Sequence, residues 1–207
     1  MVVLTRAAAR RLQLEEGDQE SALVLRQPVT GLADTVWTFR SGVDIYTHSK
    51  RNETIKPEVD HLIEVQLTEL ALVRAFNRDQ HSRTGSMATT QAREILASKF
   101  NGLPNLNVTS KRVNQAKRGP FTAGVNRLQS DRLRRVSIEQ LARQGSNKWM
   151  VDDGTWARIE RAIAVSYDHT YTELIDGGVD AMPAAATLVE DAVDELHSLL
   201  LSLSILR

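Results

Sequence analysis

Between Asn105 and Gly119 the chain reads NLNVTSKRVNQAKRG, and this stretch constrains the fold more than any other. It opens with apolar alternation at Leu106 and Val108, the two-residue period of a strand. It turns basic at Lys111 and Arg112, then carries Asn114, Gln115 and Lys117 at helical spacing. Gly119-Pro120 reads as the stop of that helix. A strand running directly into a basic helix is the expectation.

A second short piece lies upstream. Val59-Asp60-His61-Leu62-Ile63 sets an acid beside a histidine in an apolar run, within a strand expected over 55–65. Pro57 stands near its start, where a missing N–H donor is tolerable. Phosphodiester hydrolysis needs a base to activate water and a cation on the leaving oxygen, held by ligands that leave it open to substrate. Asp60 and His61 point to opposite faces of a regular strand, so a turn or twist is required there for both to serve one site. Asp60 and Asn114 offer the oxygen donors that suit Mg²⁺, Mn²⁺ or another hard divalent cation.

Taken together, Asp60-His61 and the segment from Asn105 to Gly119 resemble the HNH nucleases of the His-Me finger (ββα-metal) superfamily. The matching positions are Asn105, Leu106, Val108, Asn114, Lys117 and Gly119, in the pattern N-L-x-L-x-x-x-x-x-N-x-x-K-x-G. The resemblance implies a divalent-metal-dependent endonuclease. Asp60 and Asn114 would be metal ligands, His61 the general base, Asn105 the group orienting its imidazole, and Lys117 a neighbour of the substrate phosphate. It spans about 55–120 and departs from the family in two ways. A long helical insertion separates Asp60-His61 from Asn105, and the cysteine knuckles common in the family are missing.

The remaining residues fill in an α+β chain, mostly helical, with a ββα-metal core, a helical insertion between its two strands and a helical C-terminal region. Residues 1–27 read as an arm with a short helix through Ala7 to Leu14, and 28–125 as the nuclease core, with its insertion at about 66–103. Val36 to Thr47 alternates about Ser41-Gly42, which reads as a β-hairpin. Helices are expected over 67–77 and 87–100, ended by Gly102-Pro104. A basic-to-acidic helical region follows over 126–175, and Asp176-Gly177-Gly178 is a linker. In a last amphipathic helix over 179–207, beginning near Pro183, the stripe Val189, Val193, Leu196, Leu200, Leu203 packs on its own domain or joins a homodimer or partner helix through 183–206.

The net charge is zero, yet from Asn107 to Lys148 ten Lys and Arg face two acids, while from Met150 to Arg207 eleven acids face three Arg. Such a division suits a polyanion-binding face, with nucleic acid as partner, or a solvated face balanced by an acidic neighbour. Lys111, Arg112, Lys117, Arg118, Arg127, Arg134 and Arg135 are the candidate phosphate contacts, and DNA is favoured over RNA. No cysteine is present among the 207 residues, which excludes disulfides, thiolate zinc sites and a Cys nucleophile. The N-terminus lacks the apolar core of a signal peptide and no run approaches a membrane span. An intracellular nuclease, toxin or effector is the expectation; the alternatives are a ribonuclease toxin and a non-catalytic binding or interaction module on the same scaffold.

Four other places carry weaker readings. Asp168-His169 reads as a helix-end polar patch, and His48 and His81 as solvent-facing loop residues. Glu64 is either an exposed strand residue or a neighbour of the site.

Overall fold

The computed structural model describes residues 25, 27, 29, 31–52, 56–78, 86–130, 135–144 and 151–206. The expected short helix over 7–14, His81 and Arg134 lie outside these residues. The chain is mostly helical, with one small antiparallel sheet. Its elements are α1 (Ala33–Phe39), β1 (Pro57–His61), α2 (Val65–Phe76), α3 (Ser86–Phe100), β2 (Leu106–Ser110), α4 (Lys111–Ser130), α5 (Ile138–Gln144), α6 (Asp153–Tyr171) and α7 (Pro183–Ser202).

β1 and β2 pair in the register Pro57↔Ser110, Val59↔Val108, Asp60↔Asn107 and His61↔Leu106, with α2 and α3 inserted between them. Pro57 opens its strand, as expected. Alternation gives the sheet two unlike faces. Val59, Leu106 and Val108 pack with Val36 and Trp37 of α1 in a small apolar cluster. Asn107 and Thr109, with Asp60 opposite, form a polar face that is nonetheless buried.

Val36 to Thr47 is not a hairpin. Its first half is α1, and the turn at Ser41-Gly42 closes that helix instead of joining two strands. The Gly42 N–H bonds the Trp37 carbonyl at 2.7 Å and the Ser41 N–H bonds that of Thr38 at 3.1 Å, both residues having positive φ. These are the paired bonds of a Schellman C-terminus. All that remains of the second strand is an isolated bridge between Val43 and Lys50. Burial of the neighbours Val36 and Trp37 against the sheet overrides the short alternation in the sequence.

Gly119-Pro120 likewise does not end α4, which runs to Ser130 with Pro120 inside it. Pro120 and Phe121 are buried, and packing outweighs the lost hydrogen bond. At Gly124 the helix comes so close to α5 and the C-terminal turn that an added Cβ would lie 2.8 Å from Ile138 Cδ1 and 2.9 Å from Leu203 Cδ2.

The main core forms where α7 lies along α2 and α3. Val189, Val193, Leu196, Leu200 and Leu203 are all buried within the chain. The stripe is therefore spent on its own domain, and the helix face left outside carries Thr187, Glu190, Asp194 and His197. The stripe through which a homodimer or partner helix over 183–206 was expected is packed within the chain itself. Among the described residues no helix is long and apolar enough to cross a membrane.

Leu196 is 1% exposed at the centre of this packing. Leu196→Ala is expected to cost roughly 2–5 kcal/mol of stability, read as a lowered midpoint in urea denaturation with an unchanged slope.

Candidate active site

The polar face of the sheet is covered by α4 and by the segment from Asp44 to Thr47. Asp44 is 4% exposed and organises one half of it. Its carboxylate accepts from Asn107 Nδ2 at 2.8 Å, Thr109 Oγ1 at 2.8 Å, the Tyr46 N–H at 2.9 Å and Thr47 Oγ1 at 2.7 Å. Asn107 Oδ1 in turn accepts the Ile45 N–H at 3.3 Å. A buried carboxylate with this many donors is well satisfied.

Lys117 organises the other half. Its ammonium is fully buried, carried on the strand-facing side of α4. It donates to Asp60 Oδ2 at 2.8 Å, to Glu64 Oε1 at 2.9 Å and to the His61 carbonyl. Asp60 Oδ2 also accepts the Tyr46 hydroxyl at 2.8 Å. One turn back on α4, Asn114 Nδ2 donates to Glu58 Oε2 at 2.8 Å. Glu58 and Asp60 share a strand face, and Asn114 and Lys117 share a helix face, so the four meet along a single seam.

Electrostatics follow from burial. Desolvation is the largest influence on Asp60 and pushes its carboxyl up to about 6, with Lys117 pulling it down and Glu64 pushing it further up. Desolvation also pulls on Lys117, but attraction to Asp60 and Glu64 and the hydrogen bonds to both outweigh it, and the ammonium is held above its usual value. The Tyr46 hydroxyl is raised well above its usual value by burial and by the charge of Asp60. The acid sees one cation and one anion, whereas the ammonium sees two anions. Their shifts therefore differ in kind: burial prevails for Asp60 and attraction for Lys117.

His61 lies on the other face. It is 2% exposed, and its Nε2 is 3.0 Å from Asn101 Oδ1. No turn or twist brings it round to Asp60, because β1 stays regular through His61. Asn105, fully buried, does not meet the imidazole. Its Oδ1 accepts the Ile63 N–H at 2.8 Å and Ser166 Oγ at 2.9 Å, and its Nδ2 donates to the carbonyls of Phe100 at 2.8 Å and Ile63 at 3.2 Å. Asn105 thus clamps the bend that follows β1.

The expected metal ligands do not fit a divalent ion as they stand. Asp60 Oδ2 is taken by Tyr46 and Lys117, and Asn114 turns its amide to Glu58. Among the described residues no three His, Cys, Asp or Glu side chains gather to hold a metal. Lys117, expected near a substrate phosphate, is instead the counter-charge of Asp60.

Of the other basic candidates, Lys111, Arg112 and Arg118 are exposed on α4, Arg127 is half-buried and Arg135 is exposed beyond it. His48 is exposed, and His169 sits in the last turn of α6, 3.5 Å from Glu173. Glu64 is a neighbour of the site and not an exposed strand residue. Tyr46, Asp44 and Asn101 escaped the sequence reading. The Asp-Ile-Tyr-Thr run around Tyr46 looked like plain strand alternation, and Asn101 like the end of a helix.

Comparison with known proteins finds no matching protein family, no matching curated protein and no matching solved structure.

Two outcomes test the seam. Lys117→Met leaves two carboxylates without their cation and is expected to cost roughly 3–5 kcal/mol at pH 7, read by urea denaturation. The second concerns pH. With a folded value near 6 against about 3.9 unfolded, Asp60 binds a proton in the folded state that the unfolded chain lacks. Its contribution is therefore most favourable at low pH and is lost as pH rises from about 4 to about 6. Asp60→Asn should flatten the fall in urea midpoint across that window; an unchanged fall would assign the dependence to other groups.

Proposed function

We propose that the chain is a nuclease that hydrolyses phosphodiester bonds of nucleic acid. The observation that carries this reading is the order of parts. A strand ending in Asp60-His61 pairs antiparallel with a second strand, which runs straight into a basic helix that packs back on the pair. His61 is the group on this assembly able to take a proton from water. The outer side of α4 presents Lys111, Arg112 and Arg118, and the helix contains no acid from end to end, which suits phosphate contact. The Mg²⁺ or Mn²⁺ requirement is a matter for the assay, since the donor set does not gather.

A second reading, a nucleic-acid-binding protein without turnover, is favoured by one observation. Asp60 is neutralised by Lys117, and His61 lies on the opposite strand face.

The deciding experiment incubates the purified chain with plasmid DNA and with total RNA, in Mg²⁺, Mn²⁺ or EDTA, beside His61→Ala. Cleavage that falls by roughly 10²-fold or more in the variant supports the nuclease and names its substrate. Intact substrate in every lane, with a gel shift retained, moves the conclusion to the binding protein.

Binding itself has a separate signature. Replacing Lys111, Arg112 and Arg118 with Gln is expected to weaken nucleic-acid affinity without sequence preference. It should also reduce the slope of log K against log salt by up to roughly 3, measured by fluorescence anisotropy.

A further inference from the structure

Six side chains of α4 line up on the side turned away from the sheet. Lys111, Gln115, Arg118, Thr122, Asn126 and Gln129 recur at steps of three and four. At about 3.6 residues per turn they fall within roughly a quarter of the helix circumference. All are exposed except Gln115, which is half-buried, while Val113, Lys117 and Gly124 on the opposite side are buried. The chain as a whole balances 26 acids against 26 bases, yet α4 holds no acid. Arg51, Arg78, Lys99 and Arg143, exposed elsewhere, each meet a carboxylate. Lys111 and Arg118 meet none among the described residues, and the side chains of Gln115, Thr122, Asn126 and Gln129 have no hydrogen-bond partner there. This face therefore adds neither core contacts nor ion pairs to the fold.

We propose that the outer face of α4 reads the major groove of duplex DNA, with Gln115, Thr122 and Asn126 on base edges and Lys111, Arg112 and Arg118 on the bordering phosphates. Viewed down the axis, the three uncharged side chains lie between Arg118 on one edge and Arg112 on the other. Such an order matches a groove, whose floor offers donors, acceptors and thymine methyls and whose rims are anionic. Asn and Gln pair bidentately with the adenine edge, and Thr bonds a base or packs on the thymine methyl. A helix about 10–12 Å across enters the major groove of B-form DNA, about 12 Å wide, but not the deep, narrow one of A-form RNA. The inference rests on the nucleic-acid binding common to both readings above and not on cleavage. α4 and the backbone of β1 stand between this face and the His61 ring, so binding here and proton transfer there are separate properties.

Binding by the full-length chain is measured in EDTA, so that metal-dependent cleavage does not consume the probe. The probes are a randomised duplex DNA pool, its single strands and duplex RNA of the same sequences. The expected result is selection of a common DNA site, bound at least roughly 10-fold more tightly than duplex RNA. Within that site 7-deazaadenine, which lacks the major-groove acceptor, should weaken binding by roughly 10-fold, and 3-deazaadenine, altered in the minor groove, should not. Gln115→Ala, Thr122→Ala and Asn126→Ala combined should abolish the preference for the selected site while keeping the salt slope. These positions face solvent on a helix, where Ala is the best helix former, so the variant keeps its fold. Loss of affinity to 3-deazaadenine alone overturns the proposal, as does a triple variant that still prefers the same site. Equal binding of duplex RNA or of single strands overturns it too. No binding to any probe sinks the nucleic-acid reading along with it, whereas DNA cleaved in Mg²⁺ but insensitive to 7-deazaadenine sinks this surface and leaves the nuclease standing.

Discussion

The Lys117 ammonium, sealed from solvent, ties α4 to three groups at the end of β1 and the bend after it. It reaches a strand carboxylate, the carboxylate just before α2, and the carbonyl of the last residue in β1. A buried ammonium tolerates this position only because all three partners are in hydrogen-bond reach. Two strands with a few ladder bonds are marginal alone, and the apolar face on α1 is small. The ion pair across the polar face, together with Asn114 on Glu58, ties α4 to the sheet, and with it the turn into the helical insertion. Asp44 does the same from the opposite side, bonding Asn107 and Thr109 of β2. The sheet is thus gripped through its polar side chains as firmly as through its apolar ones.

The strand-to-helix passage was legible because two periods meet in it, alternation in Leu106 and Val108 and then helical spacing from Lys111. The insertion helices and α7 were legible from their helical apolar spacing, with Gly102-Pro104 marking the end of α3 and Pro183 the start of α7. Val36 to Thr47 misled because seven helical residues show hardly two turns of period, and an adjacent Val-Trp pair satisfies either pattern. Gly119-Pro120 misled because the stop signal is local, whereas Phe121, Val125 and Leu128 bury beyond it. Local punctuation loses to a buried face of that length.

Side-chain partnerships at the site were less legible than its elements. Asp60 and His61 were placed correctly on one strand, and the alternation rule already put them on opposite faces. The regular strand keeps them there. Which asparagine meets His61 is a matter of tertiary distance: Asn101 arrives from the end of α3, and no spacing within the chain distinguishes it from Asn105. Tyr46 reaches Asp60 from a segment whose fold was itself misread.

The seam is also short of positive charge, and this bears on its chemistry. Asp44, Asp60 and Glu64 set three acids against one ammonium in a space where water is scarce. Asp44 is relieved by neutral donors, so the imbalance falls on Asp60 and Glu64, which share Lys117. Asp60 is the more buried of the two, and desolvation raises it first, with the charge of Glu64 adding to the rise and Lys117 opposing it. A proton is the smallest remedy, and a value near 6 makes it available under mildly acidic conditions. The imidazole stands clear of this competition because the strand itself separates the two faces. Its Nε2 lies 3.0 Å from Asn101 Oδ1. One strand thus keeps a charged layer and a histidine apart by the width of a backbone.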